Sequence, residues 1–141
     1  MLVADGSRLT PLTVDLDGSR LAALTQGDFD RDVAGAELYA GGGRGNVYQI
    51  VGDRSGKLKT RTVGNLGGRQ VTALLAADVI PWSPGVELLG FTDPGALWLF
   101  TEVEGGYEPL LVQELDGAVL GTCVLPARED EAPEIVTASR D

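Results

Sequence analysis

The sequence predicts an all-β fold, and three observations carry this prediction. Short segments with alternating apolar residues, such as "LAALTQ", "VTALLAA", "NVYQIV" and "ALWLF", recur along the chain and have the period of half-buried strands. Turn-forming pairs such as Gly105-Gly106 and Asp116-Gly117 separate such segments. No segment has the spacing of an amphipathic helix, and a content of 20 glycines and 7 prolines disfavours one.

Composition narrows the class of protein further. A length of 141 residues fits one domain, and a net charge of −10 repels nucleic acid and anionic lipid, so we expect neither nucleic acid nor membrane as a partner. The absence of histidine removes the commonest general base and metal ligand, which favours a non-enzymatic protein. The single cysteine, Cys123, has apolar neighbours that predict a buried side chain. No secretion signal is recognisable, so the sequence leaves the cellular location open.

The chain repeats itself with a period of about 50 residues. Residues 21–50 align with residues 71–100 without a gap. The identities in this register include Asp28 with Asp78, Gly35 with Gly85, Glu37 with Glu87, and Gly45 with Gly95. A third copy begins at Val119, where Glu134 takes the place of Glu87 after a one-residue deletion. The first twenty residues resemble the end of the second copy, with Pro11 on Pro109.

Each full copy has the length and turn spacing of four strands, which in the second copy are expected near 71–77, 86–91, 96–102 and 108–114. Repeated four-stranded units of this size predict the blades of a β-propeller. We therefore expect a half blade (strands 3 and 4) in residues 1–20, full blades in 21–70 and 71–118, and a half blade (strands 1 and 2) in 119–141.

Two segments extend this prediction to a family. "GDFDRDVAGAEL" and "ADVIPWSPGVEL", each followed by a glycine-led apolar strand, resemble the FG-GAP/VCBS-type (integrin-alpha-like) propeller repeat. The resemblance covers nearly the whole chain and implies four-stranded blades. It also implies loops of the form D-x-D-x-D-G-x-x-[DE], which often bind calcium, and members that are often extracellular.

Three blades' worth of strands cannot close a ring, since propellers typically have 4–8 blades. An open array would leave unpaired strand edges and bare apolar faces. We expect two chains to form a six-bladed homodimer in which each seam blade takes strands 1 and 2 from one chain and strands 3 and 4 from the other. The alternatives are a fragment excised from a longer propeller and an engineered chain.

The acidic stretch of the first full copy has two interpretations. Asp28, Asp30 and Asp32 alternate, and Glu37 could complete the six to eight oxygens that calcium requires. The stretch departs from the family pattern because Val33 replaces the turn glycine and Glu37 comes one residue late. The alternative is a turn whose carboxylates accept backbone N–H bonds.

The other two copies favour the turn interpretation, because their middle positions lack alternate carboxylates. The second has Pro81, Trp82, Ser83 and Pro84 there, and the third has Glu129, Asp130 and Glu131 in a row.

Among the aromatic residues, Trp82 is the candidate for contact with a ligand or partner. It lies in a proline-rich loop, where its ring either stacks on a sugar or on a partner's side chain, or anchors the loop. Tyr48 and Trp98 occupy matching strands and are expected to be buried between blades. The sequence thus predicts a self-assembling scaffold with loops for protein or ligand binding. The alternatives are a carbohydrate-binding lectin and an accessory domain of a polysaccharide-degrading enzyme.

Overall fold

The computed structural model describes residues 2–5, 8–11, 16, 20–52, 57–126 and 132–140. Within these ranges the chain forms twelve strands, all pairings are antiparallel, and there is no helix. The predicted all-β class is therefore confirmed. The acids of the third copy, at positions 129–131, lie outside the described residues. No helix in the described part of the chain could cross a membrane.

Two four-stranded sheets form the centre of the molecule, and each strand pairs with the next one along the chain. Sheet 1 consists of β3 (Leu21–Gly27), β4 (Glu37–Gly42), β5 (Asn46–Gly52) and β6 (Leu58–Asn65). Sheet 2 consists of β7 (Gln70–Ala77), β8 (Glu87–Asp93), β9 (Ala96–Val103) and β10 (Gly106–Glu114). Residues 71–114 thus contain four strands close to the positions expected for them.

Two two-stranded sheets complete the description. The N-terminal sheet pairs β1 (Leu2–Asp5) with β2 (Arg8–Pro11). Sheet 3 pairs β11 (Ala118–Leu125) with β12 (Glu134–Arg140). Strand β3 lies beside β7, and β7 lies beside β11, so the first strands of three successive sheets are neighbours.

A bulge recurs at the same point of these three neighbouring strands. The register skips Ala22 in β3, Thr72 in β7 and Leu120 in β11. These residues are 50 and 48 positions apart, the same spacings that relate the copies in sequence. A bulge bends its strand and increases the local twist. The repeat is therefore a repeat of backbone geometry as well as of residues.

Apolar side chains fill the spaces between successive sheets, because both faces of sheets 1 and 2 carry them. Tyr39, Val47 and Val63 of sheet 1 pack against Val71, Leu88 and Phe100 of sheet 2. Ala73, Leu89 and Phe91 of sheet 2 pack against Val119 of sheet 3. A third cluster lies on the other face of sheet 1 and contains Leu16, Ala40, Tyr48 and Ile50.

Leucines at matching positions of the repeat pack into these three clusters, one of these leucines in each. Leu66 lies between sheets 1 and 2, Leu115 between sheets 2 and 3, and Leu16 on the outer face of sheet 1. The backbone N–H of Leu66 donates to the carbonyl of Gly45 at 2.8 Å, and that of Leu115 donates to Gly95 at 3.0 Å. The matched glycines and leucines thus fix the same connection between successive sheets.

The two expected buried aromatic residues differ in their surroundings. Tyr48 is buried behind sheet 1, whereas Trp98 is half-buried and packs against the cluster between sheets 1 and 2. The prediction for Cys123 was wrong, because this side chain is exposed. It lies on the face of sheet 3 that no described residue covers.

Candidate functional site

The acidic loop between β3 and β4 is held in place by its own carboxylates. The backbone N–H of Asp32 donates to Oδ1 of Asp30 at 3.0 Å, and the N–H of Val33 donates to the carbonyl of Asp30 at 3.0 Å. Such a bond from an aspartate to the backbone two residues on forms a compact turn without glycine. Asp30 therefore shapes the loop that precedes Glu37.

Glu37 closes the same loop from the first residue of β4. Its Oε2 accepts the backbone N–H groups of Phe29 at 3.2 Å and Asp30 at 3.3 Å, and the hydroxyl of Tyr39 at 2.6 Å. The side chain is buried, so these donors would otherwise be desolvated without a partner. Glu37 thus holds its loop, as the turn interpretation expects of a carboxylate at this position.

Glu87 makes the corresponding bonds in the second copy. Its Oε2 accepts the backbone N–H groups of Val79 at 2.9 Å and Ile80 at 3.2 Å. Both glutamates pair with the last residue of the strand before the loop, Gly27 or Ala77. Glu134 stands in the same register and pairs with Leu125, the last residue of β11. In the first two copies the glutamate of the repeat is therefore a loop-holding residue.

Asp30 also belongs to a partly buried polar network that crosses sheet 1. Tyr39, Gln49 and Arg61 are direct cross-strand neighbours on β4, β5 and β6. Gln49 donates from Nε2 to Oδ2 of Asp30 at 2.9 Å and accepts from Nε of Arg61 at 2.6 Å. Arg61 forms an ion pair with Asp30. We call Asp30, Tyr39, Gln49 and Arg61 the polar ladder.

Sheet 2 contributes one hydroxyl to this ladder. Tyr107 of β10 donates to Oδ1 of Asp30 at 3.1 Å, and its ring lies 4.5 Å, centroid to centroid, from that of Phe29. Because Asp30 lies in sheet 1's loop and Tyr107 in sheet 2, this bond joins the two sheets. The ladder is therefore an inter-sheet contact as well as a brace within sheet 1.

The pKa values of the network follow from these contacts. Burial of Asp30 opposes its ionisation, but hydrogen bonds from Gln49, Asp32 and Tyr107 and the charge of Arg61 outweigh burial and lower the pKa. Burial and the bond to the Asp30 carboxylate raise the pKa of Tyr107 to about 12. Asp30 is therefore ionised and Tyr107 protonated at neutral pH.

Two of the four candidate calcium ligands, Asp30 and Glu37, already have protein partners in the described structure. Both oxygens of Asp30 and Oε2 of Glu37 already accept several protein hydrogen bonds, while Asp28 and Asp32 are exposed. Among the described residues, no three His, Cys, Asp or Glu side chains are grouped as a metal site would require. Calcium binding at these four residues stays a hypothesis, which calorimetric titration tests. Oε1 of Glu37 is buried and has no partner among the described residues.

Two cavities lie where sheets 1 and 2 meet, and residues of the polar ladder line one of them. One, of about 240 Å³, is lined by Asp30, Asp32, Arg61, Glu102 and Tyr107 together with the β9–β10 turn. The other, of about 200 Å³, lies between the loops of sheets 1 and 2, which are tied by a 2.6 Å bond from Nη2 of Arg31 to the carbonyl of Pro84. Trp82, in the same loop as Pro84, is 86% exposed and so does not anchor the loop.

A third cavity, of about 240 Å³, lies along the three neighbouring first strands. It is lined by residues 22–24, 72–74 and 120–122, which correspond in the repeat. Ala22, Thr72 and Leu120, the bulge residues, are among them. The bulges therefore lie on a common groove, which we call the bulge groove.

Sequence reasoning missed Gln49, Arg61 and Tyr107. A signal was available for two of them, because Gln49 and Arg61 stand where the second copy has Leu99 and Leu110. A polar residue matched with an apolar one across copies indicates a changed interface. The partner on the next sheet, Tyr107, had no such signal.

No protein-family model matches the chain, and a search of curated proteins found no match.

Proposed function

We propose that the chain is a non-enzymatic scaffold of FG-GAP/VCBS-like β-propeller blades that completes a six-bladed ring with a second copy. Its loops would be available for protein or ligand binding. The observation that carries this proposal is the row of three bulged first strands, β3, β7 and β11, along the bulge groove. Strands stacked in this way, each leading an antiparallel sheet, are what radial blades require.

Bare apolar residues on sheet 2 support association. Val63 of β6 and Val112 of β10 are the extra residues of matching bulges in the fourth strands of their sheets. Val63 is 6% exposed because sheet 2 covers it, whereas Val112 is 52% exposed, and its neighbour Leu110 is 56% exposed. A sheet of two strands is marginal alone, and its free edge invites another strand. Two further strands beside β12 would cover Val112 and Leu110.

The N-terminal sheet of a second copy is the proposed source of those strands. Its residues correspond to the third and fourth strands of a blade, since Pro11 matches Pro109 of β10. The seam blade would then have four strands, two from each chain. A twofold closed assembly satisfies both ends at once.

Light scattering or sedimentation at micromolar concentration tests the proposal. The expected result is a two-chain mass, against 14.8 kDa for one chain. A Val112→Lys substitution should weaken association because it places a charge in the seam, while Trp82→Lys, in an exposed loop, should not. A stable species of one-chain mass for the unmodified protein contradicts the proposal.

Glycan binding is a second candidate, and the exposure of Trp82 favours it. An aromatic ring held in solvent by a proline-rich loop offers a flat apolar face to a sugar. Binding on a glycan array that is lost in Trp82→Ala, with unchanged thermal unfolding, would support a lectin. An accessory role in a polysaccharide-degrading enzyme predicts binding to polysaccharide in the same assay.

A further inference from the structure

Sheet 3 has an exposed face whose counterparts in sheets 1 and 2 are covered by the next sheet. Three cross-strand pairs occupy the same register of the repeat: Thr25 with Tyr39, Leu75 with Leu89, and Cys123 with Val136. Tyr39 lies in the cluster between sheets 1 and 2, and Leu89 lies in the cluster between sheets 2 and 3. In sheet 3, Cys123 is exposed and Val136 is 44% exposed. Leu125, two residues beyond Cys123, is also exposed.

Sheet 1 carries the opposite half of such an interface. Leu21, Val71 and Val119 begin the three copies, each one residue before the bulge. Val71 and Val119 are buried between sheets, whereas Leu21 is 48% exposed. A residue that the preceding sheet covers in two copies is thus uncovered in the first.

We propose that the Cys123–Val136 face of sheet 3 docks on β3 of a second copy, beside Leu21 and Gln26. Both halves of this contact are on every chain. They cannot meet within one chain, because sheets 1 and 3 pack on opposite faces of sheet 2. The occupant is therefore another copy, and the inference rests on the proposed self-association. It adds which face makes the contact and which residues become neighbours.

The internal interface gives the contact its register. The backbone N–H of Ala76 in β7 donates to Oγ1 of Thr25 in β3 at 3.3 Å. Thr25 corresponds to Cys123, and Ala76 corresponds to Gln26. The same geometry at the seam places Cys123 of one chain next to Gln26 of the other. Gln26 is exposed, so the position is open to substitution.

A Gln26→Cys substitution tests this neighbourhood through the native thiol. Under mild oxidation we expect a disulfide between the introduced thiol of one chain and Cys123 of the other, because the two side chains would be within bonding reach. The product would be seen as a covalent dimer on a non-reducing gel. Gln26→Cys combined with Cys123→Ser should not form it. Lys59→Cys, an exposed position on β6 away from the proposed contact, is the matched control.

The outcomes separate this inference from the proposed function. A two-chain mass without the cross-link overturns the docking and leaves self-association standing, whereas a one-chain mass overturns both. A series of cross-linked species longer than a dimer supports the docking and contradicts ring closure. If Gln26→Cys does not fold, the Val136→Lys substitution tests the same docking. It should weaken association at least about tenfold, as one buried charge mismatch costs more than about 1.4 kcal/mol. Unchanged association in Val136→Lys overturns the docking.

Discussion

Sheets 1 and 2 share strand order, bulges and register, yet the faces that they turn toward the next sheet have opposite chemistry. Sheet 1 presents the polar ladder. Sheet 2 has apolar residues at the four corresponding positions: Ile80 for Asp30, Leu89 for Tyr39, Leu99 for Gln49 and Leu110 for Arg61. One backbone therefore accepts either a connected polar network or a row of aliphatic side chains.

The loop glutamate does not vary between the two sheets. Glu37 and Glu87 accept the backbone N–H groups of the residues eight and seven positions before them in both sheets. Backbone donors of a folded loop need a partner whatever side chains surround them. Ladder residues are different, because a polar set whose members satisfy one another and an apolar set both avoid unpaired groups. The comparison separates what the backbone of a four-stranded sheet requires from what can vary at each interface.

Removing the glutamates should have the largest effect and should differ between the sheets. Glu37→Leu leaves three buried donors without an acceptor, whereas Glu87→Leu leaves two partly buried donors. At a cost of about 1–3 kcal/mol for each, we expect losses in unfolding free energy of about 4 and about 2–3 kcal/mol. Urea unfolding measures both. Glu37→Gln, which keeps an acceptor, is the control, and a larger loss at Glu87 would contradict the comparison.

Breaking the polar ladder at one residue should cost more than replacing it whole. Asp30→Ala leaves Gln49, Arg61 and Tyr107 without their shared acceptor. We expect the free energy of unfolding to fall by about 2 kcal/mol. The loss is moderate because Arg61 is half-exposed.

The matched variant copies sheet 2 into sheet 1. It combines Asp30→Ile, Tyr39→Leu, Gln49→Leu and Arg61→Leu. Its loss in unfolding free energy should be smaller than that of Asp30→Ala, since it removes the donors Gln49 and Arg61 together with the acceptor and leaves Tyr107 as the one side chain that loses its bond to Asp30. A loss equal to the sum of the single substitutions would show that the ladder positions are not interchangeable.

Strand positions were the part of the fold that the sequence predicted well. Alternation and turn residues predicted strands near 71–77 and 96–102, and the structure has them at Gln70–Ala77 and Ala96–Val103. These signals are local, so a single sequence is enough to predict the strands. The 50-residue period added the correspondence between copies, and with it the shared register of Glu37 and Glu87.

The site was less predictable because its contacts are distant in sequence. Asp30 was identified as a possible calcium ligand, but its partners Gln49 and Arg61 are 19 and 31 residues away, and Tyr107 is 77 away. A polar residue in an alternating strand normally faces solvent, so nothing local marked Gln49 as buried. The prediction that Cys123 is buried was wrong for a related reason, since its apolar neighbours in sequence do not reveal whether another sheet covers its face.

Acidification should produce the smallest effect, confined to the junction of sheets 1 and 2. The contacts of Asp30 lower its pKa below the usual value of 3.8, so its ionised form stabilises the fold fully above about pH 5. This contribution is lost as the pH falls through the lowered pKa. The corresponding residue of sheet 2, Ile80, does not titrate, so the junction of sheets 2 and 3 lacks this dependence.

Trp98 can report this difference, because it packs against the cluster between sheets 1 and 2. In a Trp82→Phe background its fluorescence should change below about pH 4, at or before global unfolding followed by circular dichroism. Asp30→Asn should flatten the acid limb of the unfolding free energy relative to the parent, because the amide that replaces the carboxylate does not titrate. An acid limb of the same slope in both proteins would place the acid-sensitive carboxylates elsewhere, and the polar ladder would then differ from the leucine row in packing but not in its response to pH.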